Sequence, residues 1–395
     1  MAEVAFENRL RVARRSAIQP FLVMQVLAAA NARAAAGGDV LHLELGEPSG
    51  GPPAAALEAA KAAIDGSPLG YTEALGMQRL REAIAAHLER TLGVAVPARR
   101  IAVTLGASGG FILAFLAAFD AGSRVALADP SYPAYRNILK ALDIEVVRVA
   151  GTPENGFQPT PVELDALPGR LDGLVIASPA NPTGNVLSAE RLAAIVDWCD
   201  RNAVRLIADE IYHGITYGPA AASVLATSSD AVVVNSFSKF WCLTGWRTGW
   251  LVLPDDLVDP VERLAQNLFV SPSSIGQYAA LGALDAHDEL AERVERYARN
   301  RRVLLDALPG MGLGPVVPPD GAFYIYADIS RFELDAISFC ARLLRDTGVA
   351  ITPGNDFDEL RGDRYVRLSF AGSAAMIDQA IQRLGPWLER LRRDG

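Results

Sequence analysis

Seven short apolar runs, separated by segments with helical spacing, dominate the chain between about residues 100 and 255. Residues 188–202 show the helical spacing, because Leu192, Ile195 and Cys199 recur at intervals of three and four. Strands that are continuously apolar and alternate with helices are typical of a parallel sheet covered on both faces. The pattern therefore predicts an α/β fold with a mostly parallel sheet. The runs lie at residues 101–104, 124–128, 144–149, 174–178, 204–208, 231–235 and 250–253.

The pattern changes after residue 272. A charged helical pattern covers about residues 288–308, and a proline-rich segment at 309–319 predicts a turn. Runs at 323–328 and 365–370 predict two more strands, with a helix near 337–347 between them. We expect a large domain over residues 46–285 and a smaller α+β domain built from residues 1–45 and 286–395.

Composition excludes several classes of function. The chain has 395 residues and a net charge of −9, which disfavours a surface for nucleic acids. Its three cysteines and four histidines form no metal-ligand spacing, so no metal site is expected, and few cysteines suggest the reducing cytoplasm. Residues 101–119 carry no charge, but glycines interrupt them, so no membrane segment is expected.

Lysine is rare in this chain, and one lysine stands in an uncharged segment. Only three of the 37 basic residues are lysines, and Lys239 is the only charged residue between Ala231 and Trp246. A poorly solvated lysine can lose its proton and become a nucleophile, whereas arginine stays protonated. Taken alone, Lys239 could equally be a lysine at a strand end that extends its amine to water.

The neighbours of Lys239 favour the nucleophile. Ser236, Ser238 and Arg247 flank it in the string S-F-S-K-F-W-C-L-T-G-W-R, and two hydroxyls with an arginine suit a phosphate group. A phosphate beside a lysine that forms a Schiff base indicates pyridoxal phosphate. This cofactor needs an acid at its pyridine nitrogen, and Asp209 follows the run at 204–208. The alternative for Asp209 is a helix N-cap.

Two turns that follow predicted strands complete the candidate site. S-P-A-N-P-T-G places the amide of Asn181 where ligands bind in open α/β sheets. T-L-G-A-S-G-G at residues 104–110 joins a strand to a helix, whose first amides would suit a phosphate. A dinucleotide fingerprint is the competing interpretation, but its glycine spacing and its acidic partner are absent.

These features resemble, in order and spacing, the class I/II aminotransferases, which are pyridoxal-phosphate enzymes of fold type I. The resemblance runs from G-E-P at residues 46–48 to R-L-S-F at 367–370, and it includes N-P-T-G, D-E-I-Y, S-x-S-K and G-W-R. It implies a homodimeric enzyme that moves an amino group between an L-amino acid and a 2-oxo acid.

The resemblance also implies roles around the cofactor ring. Lys239 resembles the lysine that forms the Schiff base and moves the proton, and Asp209 the partner of the pyridine nitrogen. Asn181 and Tyr212 match the groups that bind the phenolic oxygen, and Tyr132 matches the aromatic residue that stacks on the ring. The expected phosphate ligands are Ala107, Ser108, Ser236, Ser238 and Arg247.

Further roles concern the substrate and a second subunit. Arg367 matches the arginine that binds the substrate α-carboxylate, together with Gly46 and Asn181. Tyr71, in Y-T-E-A-L-G, resembles the tyrosine that reaches the phosphate in the other subunit. As isolated features, the tyrosines would be ordinary core or surface aromatics and Arg367 an edge-strand cation.

Two departures from the family bear on the substrate. Ser108 stands where several relatives that act on acidic substrates have a lysine, and residues 17–24 around Phe21 are apolar. Both favour a neutral or apolar amino acid over transamination of the aspartate or glutamate type, which remains an alternative.

Other reactions and functions also remain open. The same fold and cofactor serve β-lyases, oxidases and decarboxylases, so the residues that hold the cofactor do not separate these reactions. Residues 236–239 also fit S-x-x-K of penicillin-binding hydrolases, but the later K-T-G is missing. A regulator that senses the cofactor would need a DNA-binding domain before G-E-P, where about 45 residues stand.

Overall fold

The computed structural model describes residues 12–315 and 317–394. The helices and the strands are numbered in the order in which they occur along the chain. The helices are α1 (Leu22–Ala35), α2 (Ala54–Gly66), α3 (Gln78–Leu92), α4 (Gly106–Ala118), α5 (Pro133–Ala141), α6 (Pro161–Asp165), α7 (Ala189–Asn202), α8 (Asp255–Leu268), α9 (Ser274–Ala283), α10 (His287–Met311), α11 (Ala336–Thr347) and α12 (Ala374–Asp394). The strands are β1 (Leu41–His42), β2 (Ile101–Thr104), β3 (Arg124–Asp129), β4 (Glu145–Ala150), β5 (Gly173–Ala177), β6 (Arg205–Asp209), β7 (Val232–Ser236), β8 (Gly249–Val252), β9 (Gly314–Pro315), β10 (Tyr324–Asp328), β11 (Val349–Ala350), β12 (Thr352–Pro353) and β13 (Tyr365–Ser369).

The largest sheet has seven strands in the order β2-β8-β7-β6-β5-β3-β4. All neighbouring pairs are parallel except the two that involve β8, which is antiparallel to β2 and to β7. Each predicted strand overlaps an observed one, with ends that differ by at most one residue. The predicted α/β fold is therefore confirmed.

Successive residues of the central strands pack on opposite faces of this sheet, as the pleat requires. Leu174 and Ile176 of β5 join one apolar cluster, with residues of α2, α3, α7 and α9. Val175 joins a second cluster, with residues of α4, α5 and α8. Because helices cover both faces, the central strands β5 and β6 are apolar between their ends, and β6 carries its polar side chains, Arg205 and Asp209, at its two ends.

A second unit of structure follows the large sheet. Strands β12, β13, β10 and β9 form an antiparallel sheet in that order, while β1 pairs with β11 in parallel. Their apolar cluster includes Leu41 and Leu43, together with residues of α10, α11 and α12. The N-terminal part of the chain thus packs with its C-terminal part.

One sequence prediction fails in this region. The turn expected from residue 309 begins later, because α10 continues to Met311 with Pro309 inside it. Proline lacks an amide donor and its ring clashes with the carbonyl four residues earlier, and Pro309 stands only two residues before the helix ends, so this disruption affects only the end of α10. The helix ends instead at Gly312, whose φ of +85° is the left-handed conformation typical of a helix end.

Within the described residues, no helix is long and apolar enough to cross a membrane. Cys199, Cys242 and Cys340 are buried, and none forms a disulfide. No group of His, Cys, Asp and Glu in the described ranges could hold a metal ion.

The packing of the large sheet predicts the cost of a cavity. Leu174 is 0 % exposed, so Leu174→Ala should lower the free energy of unfolding by about 2–5 kcal/mol. The matched control is Leu360→Ala, at a position that is 73 % exposed, which should change stability by less than about 0.5 kcal/mol. Urea denaturation compares the two variants, and equal losses would contradict the assigned core.

Candidate active site

A cavity of about 290 Å³ lies beyond the carboxyl ends of the parallel strands. Eleven of the thirteen residues predicted from the sequence line it, whereas Ser236 and Tyr71 do not. The eleven are Gly46, Ala107, Ser108, Tyr132, Asn181, Asp209, Tyr212, Ser238, Lys239, Arg247 and Arg367. The fold therefore brings together residues as distant in sequence as Gly46 and Arg367, which are 321 positions apart.

Lys239 follows β7 and extends its amine into the cavity. Its Nζ donates a hydrogen bond to the carbonyl oxygen of Gly46 at 2.6 Å. Burial, and then the positive charge of Arg367, lower the pKa of Lys239 to about 8. A substantial fraction of the amine is thus neutral near physiological pH, which is the form that acts as a nucleophile.

Asp209 ends β6, the central strand of the sheet, and its carboxylate is buried. Oδ1 accepts a hydrogen bond from the amide of Ile211 at 2.9 Å, and Oδ2 accepts one from the hydroxyl of Tyr135. Burial raises the pKa of Asp209 to about 6. A cationic partner inside the cavity would favour the charged carboxylate.

The alternative interpretation of Asp209 as a helix N-cap is wrong. Residues 211–214 form turns, and no helix begins there. The neighbouring Glu210 is buried rather than solvated, and it accepts hydrogen bonds from the Ser223 hydroxyl at 2.8 Å and the Val224 amide at 2.9 Å. Asp209 is therefore free to serve the cavity.

The phosphate-binding groups expected from the sequence meet at the N-terminus of α4. Gly106 begins this helix with a φ of +69°, and a Cβ added to it would lie 2.5 Å from Nη2 of Arg247. The lack of a side chain therefore lets the guanidinium approach the helix end, where the first amides have no partner within the helix. Amides, a guanidinium and the Ser238 hydroxyl together form a set of donors for an anion.

Ser236 differs from its predicted role. Its hydroxyl is fully buried, donates its single proton to Thr248 O at 3.1 Å and lies 2.9 Å from Ser238 Oγ, whose hydroxyl can donate to it. The Ser238 amide in turn donates to Ser236 Oγ at 3.1 Å. Ser236 thus lies behind Ser238 and orients it, and it does not line the cavity.

Arg367 of β13 is held on several sides. Nη1 donates to Oδ1 of Asn181 at 3.0 Å, and Nη2 donates to the Glu44 carbonyl at 2.5 Å. The guanidinium carbon lies 4.4 Å from the ring centre of Tyr324 and 4.7 Å from that of Phe357. Stacking and hydrogen bonds fix the plane of the guanidinium, as binding of a carboxylate by two parallel hydrogen bonds requires.

Sequence reasoning missed two tyrosines of the site. Tyr135 bonds Asp209, and Tyr324 exchanges a hydrogen bond of 2.8 Å with the hydroxyl of Tyr212. Tyr324 also requires a residue without a side chain at position 46, because a Cβ on Gly46 would lie 1.9 Å from its hydroxyl oxygen. The spacing of Tyr132 and Tyr135, three residues apart in P-S-Y-P-A-Y, was a usable signal for Tyr135.

Tyr71 lies on the surface of this chain. It is 87 % exposed and does not line the cavity of its own subunit. Tyr132 does line the cavity, and its ring packs edge-on against Phe21 with ring centres 6.0 Å apart. A role for Tyr71 in the site requires a second copy of the chain.

The remaining walls of the cavity are mostly apolar. Among the lining residues the cations are Lys239, Arg247 and Arg367, and the carboxylates are Asp209 and Asp356. Apolar side chains supply much of the rest, namely Phe21, Val23, Met24, Leu45, Phe111, Pro133, Ile211 and Phe357.

The residues of the cavity fit pyridoxal phosphate. An amine of lowered pKa can form the covalent link, and the donors at α4 suit the phosphate. The buried Asp209 carboxylate suits a protonated ring nitrogen. The space that a Cβ at Gly106 would fill is kept open beside Arg247.

Comparisons with known proteins agree with this geometry. The family model for aminotransferases of class I and II matches residues 38–384. A valine–pyruvate aminotransferase of Mycobacterium tuberculosis is 49% identical over 382 residues, which are 96% of this chain and 98% of that protein.

Solved structures show the same likeness. The crystal structure of an aminotransferase from Mycobacterium tuberculosis matches with a TM-score of 0.95 and 49% identity, covering 97% of this chain and all of the other. The aspartate aminotransferase of Thermus thermophilus, solved with maleate, matches with a TM-score of 0.90 and 32% identity, covering 96% of this chain. The chain therefore belongs to the class I and II aminotransferases, pyridoxal-phosphate-dependent enzymes of fold type I that move an amino group between an amino acid and a 2-oxo acid.

Proposed function

We propose that this enzyme transfers the amino group of a neutral, apolar L-amino acid of the valine type to a 2-oxo acid such as pyruvate. The observation that carries the proposal is the charge of the cavity. Three cations line it among the residues that the structure describes; we assign Lys239 and Arg247 to the cofactor, which leaves Arg367 for one substrate carboxylate. The relative that is 49% identical bears the name valine–pyruvate aminotransferase.

In this proposal the chain holds the cofactor at several points. Ala107, Ser108, Ser238 and Arg247 bind the phosphate, and Ser236 orients Ser238. Around the ring, Asp209 binds the nitrogen, Asn181 and Tyr212 bind the phenolic oxygen, and Tyr132 stacks. Bound covalently to Lys239, pyridoxal phosphate supplies an electron sink that stabilises negative charge at the substrate α-carbon.

Lys239 has two tasks in the reaction. Its neutral amine would hold the cofactor covalently, and the same amine, once free, would take the proton that leaves the substrate α-carbon. A pKa of about 8 suits both tasks, because the amine gains and loses its proton near working pH. The hydrogen bond from Nζ of Lys239 to the Gly46 carbonyl keeps the amine inside the cavity.

Arg367 fixes the orientation of the substrate. Its guanidinium plane is set by Tyr324 and Phe357, and Nη1 donates to Asn181 Oδ1 at 3.0 Å, so Asn181 would lie beside the carboxylate that Arg367 binds. A substrate with a second carboxylate would place that charge among Phe21, Val23 and Met24, or near Asp356. An unpaired charge in a closed site costs about 3–5 kcal/mol, so acidic substrates are disfavoured.

The proposal extends to assembly, organisation and location. We expect a homodimer in which Tyr71 reaches the phosphate in the partner, because Tyr71 is exposed and lies outside the cavity of its own subunit. We assign a large domain to residues 46–285 and a small domain to 1–45 with 286–395, on the basis of the separate apolar clusters. Three unpaired cysteines suit the cytoplasm.

The role of Lys239 predicts the properties of Lys239→Ala. The variant should bind cofactor noncovalently but lose turnover by about three orders of magnitude or more, since nucleophile and proton carrier vanish together. The matched control is Lys61→Ala on α2, which should keep full turnover. Borohydride reduction of the wild type, followed by peptide mapping, should label Lys239; a label on Lys61 or Lys140 would overturn the assignment.

The charge of the cavity predicts substrate preference. We expect kcat/KM for valine and leucine to exceed that for aspartate by about tenfold or more, because each buried methylene contributes about 0.8 kcal/mol and the described residues offer a second carboxylate no cation of its own. Single-turnover measurements with valine, leucine, alanine, glutamate and aspartate, followed by cofactor absorbance, test this. A faster reaction with aspartate than with every neutral amino acid would refute the proposed substrate class.

The role of Tyr71 predicts complementation between two defective subunits. Lys239→Ala lacks the amine and Tyr71→Ala lacks the phosphate ligand, so each homodimer is impaired at both sites. In a mixed dimer, one site would combine the intact Lys239 with the intact Tyr71 of its partner. Refolding the two variants together should therefore give more activity than their sum, and sedimentation should show a dimer. Strictly additive activities would place Tyr71 outside the partner's site.

A further inference from the structure

One wall of the cavity belongs to a segment that is far from the rest in sequence. Phe21, Val23 and Met24 stand at the N-terminus of α1, and their side chains form this wall. Helix α1 has no capping side chain at Phe21 and no acidic residue in its first turn. The first amides of such a helix need partners from elsewhere.

Asp356 supplies these partners. Its Oδ1 accepts a hydrogen bond from the amide of Leu22 at 3.0 Å, and its Oδ2 accepts one from the amide of Val23 at 3.2 Å. The two bonds join positions 334 and 333 residues apart. Asp356 is 2 % exposed, so the bonds are shielded from water, and its negative charge suits the positive end of the helix dipole.

The loop that carries Asp356 is hydrogen-bonded to residues on both sides of Tyr132. Arg136 of α5 donates to the Asp356 carbonyl at 2.7 Å, and the Ser131 amide donates to the Phe357 carbonyl at 3.0 Å. Asn137, the next residue of α5, donates to the carbonyl of Gln19 at 3.2 Å. Gln19 stands two residues before Phe21, where the wall begins. The wall is thus attached twice to the helix that follows Tyr132.

These contacts lead from Asp356 to the substrate side chain. The amides that Asp356 binds belong to Leu22 and Val23, and the neighbouring Phe21 packs edge-on against Tyr132. A bound amino acid would have its side chain beside this wall once Arg367 holds its α-carboxylate. An apolar side chain gains binding energy only from a wall that stays in place.

We propose that Asp356 determines substrate specificity as a positioning residue: its carboxylate caps α1 and holds Phe21, Val23 and Met24 against the substrate side chain. The inference rests on the proposed function, because it explains how that site selects apolar substrates. Asp356 does not take part in proton transfer, so its loss acts on binding of the side chain rather than on the chemical step.

The test compares a long and a short substrate in cofactor-loaded enzyme. Asp356→Ala should lower kcat/KM for leucine by about tenfold, through KM rather than kcat, since two charge-assisted hydrogen bonds are lost. Alanine barely reaches the wall, so its kcat/KM should fall by less than about threefold. Asp356→Asn keeps one carbonyl oxygen as acceptor and should give an intermediate effect. An equal loss for leucine and alanine would overturn the proposal.

A second measurement needs no substrate. Hydrogen exchange at the amides of Leu22 and Val23, followed by mass spectrometry, should become about tenfold faster in Asp356→Ala. Unchanged exchange would show that Asp356 does not hold the helix end. An enzyme that prefers aspartate would refute the proposed function without altering this measurement, which would then decide whether the cap exists.

The matched control is Asp358→Asn in the same loop. The Asp358 carboxylate is also buried, but it accepts hydrogen bonds from Leu360 and Arg361 at 2.9 Å and does not line the cavity. This variant should leave the leucine-to-alanine ratio and the exchange of the Leu22 and Val23 amides unchanged. A shift in both equal to that of Asp356→Asn would assign the effect to the loop and overturn a specific role for Asp356.

Discussion

The buried carboxylate of Asp209 sets the main constraint on the site. A carboxylate inside a protein is stable as an anion only when donors or a cation replace the water that it has lost. Tyr135 and the Ile211 amide supply two donors, yet burial still raises the pKa of Asp209 to about 6. A further, cationic partner would favour the charged carboxylate, and we propose that the protonated ring nitrogen of the cofactor is this partner.

The donor from Tyr135 ties this carboxylate to α5, and α5 links several parts of the site. Tyr132 lies just before the helix, Tyr135 bonds Asp209, Arg136 holds the Asp356 loop and Asn137 holds the N-terminal segment. These four side chains, within six residues, thus connect Asp209 with the wall formed by Phe21, Val23 and Met24. Such coupling explains why a short helix is buried almost throughout.

Sequence alone could predict which residues line the cavity and, in our proposal, act directly on the cofactor. Asp209 ends its strand, Lys239 and Asn181 follow theirs within four residues, and the carboxyl ends of parallel strands meet at one edge. The strand pattern is local, so it can be read from neighbouring residues. The same reasoning located the large sheet to within one residue at each strand end.

The supporting residues could not be predicted in this way. Tyr324 and Asp356 act through partners more than 100 positions away, and no local pattern records such contacts. Ser236 has the expected residue type in the expected motif, but its burial directs its hydroxyl to Thr248 instead of the cavity. Burial and long-range partners decide these roles, and both arise only when the chain is folded.

The balance of charge in the cavity connects these supporting contacts to specificity. Three cations and two carboxylates line it, and the carboxylate of Asp356 is already bound by two amides of α1. Asp356 therefore has no need of a further cation from a substrate or from Arg367. In the proposed function, an acidic side chain beside Phe21, Val23 and Met24 would lose its hydration, and the described lining residues supply no cation beyond Lys239, Arg247 and Arg367. We therefore propose that selection against dicarboxylate substrates depends on the apolar wall that Asp356 holds in place through its bonds to α1.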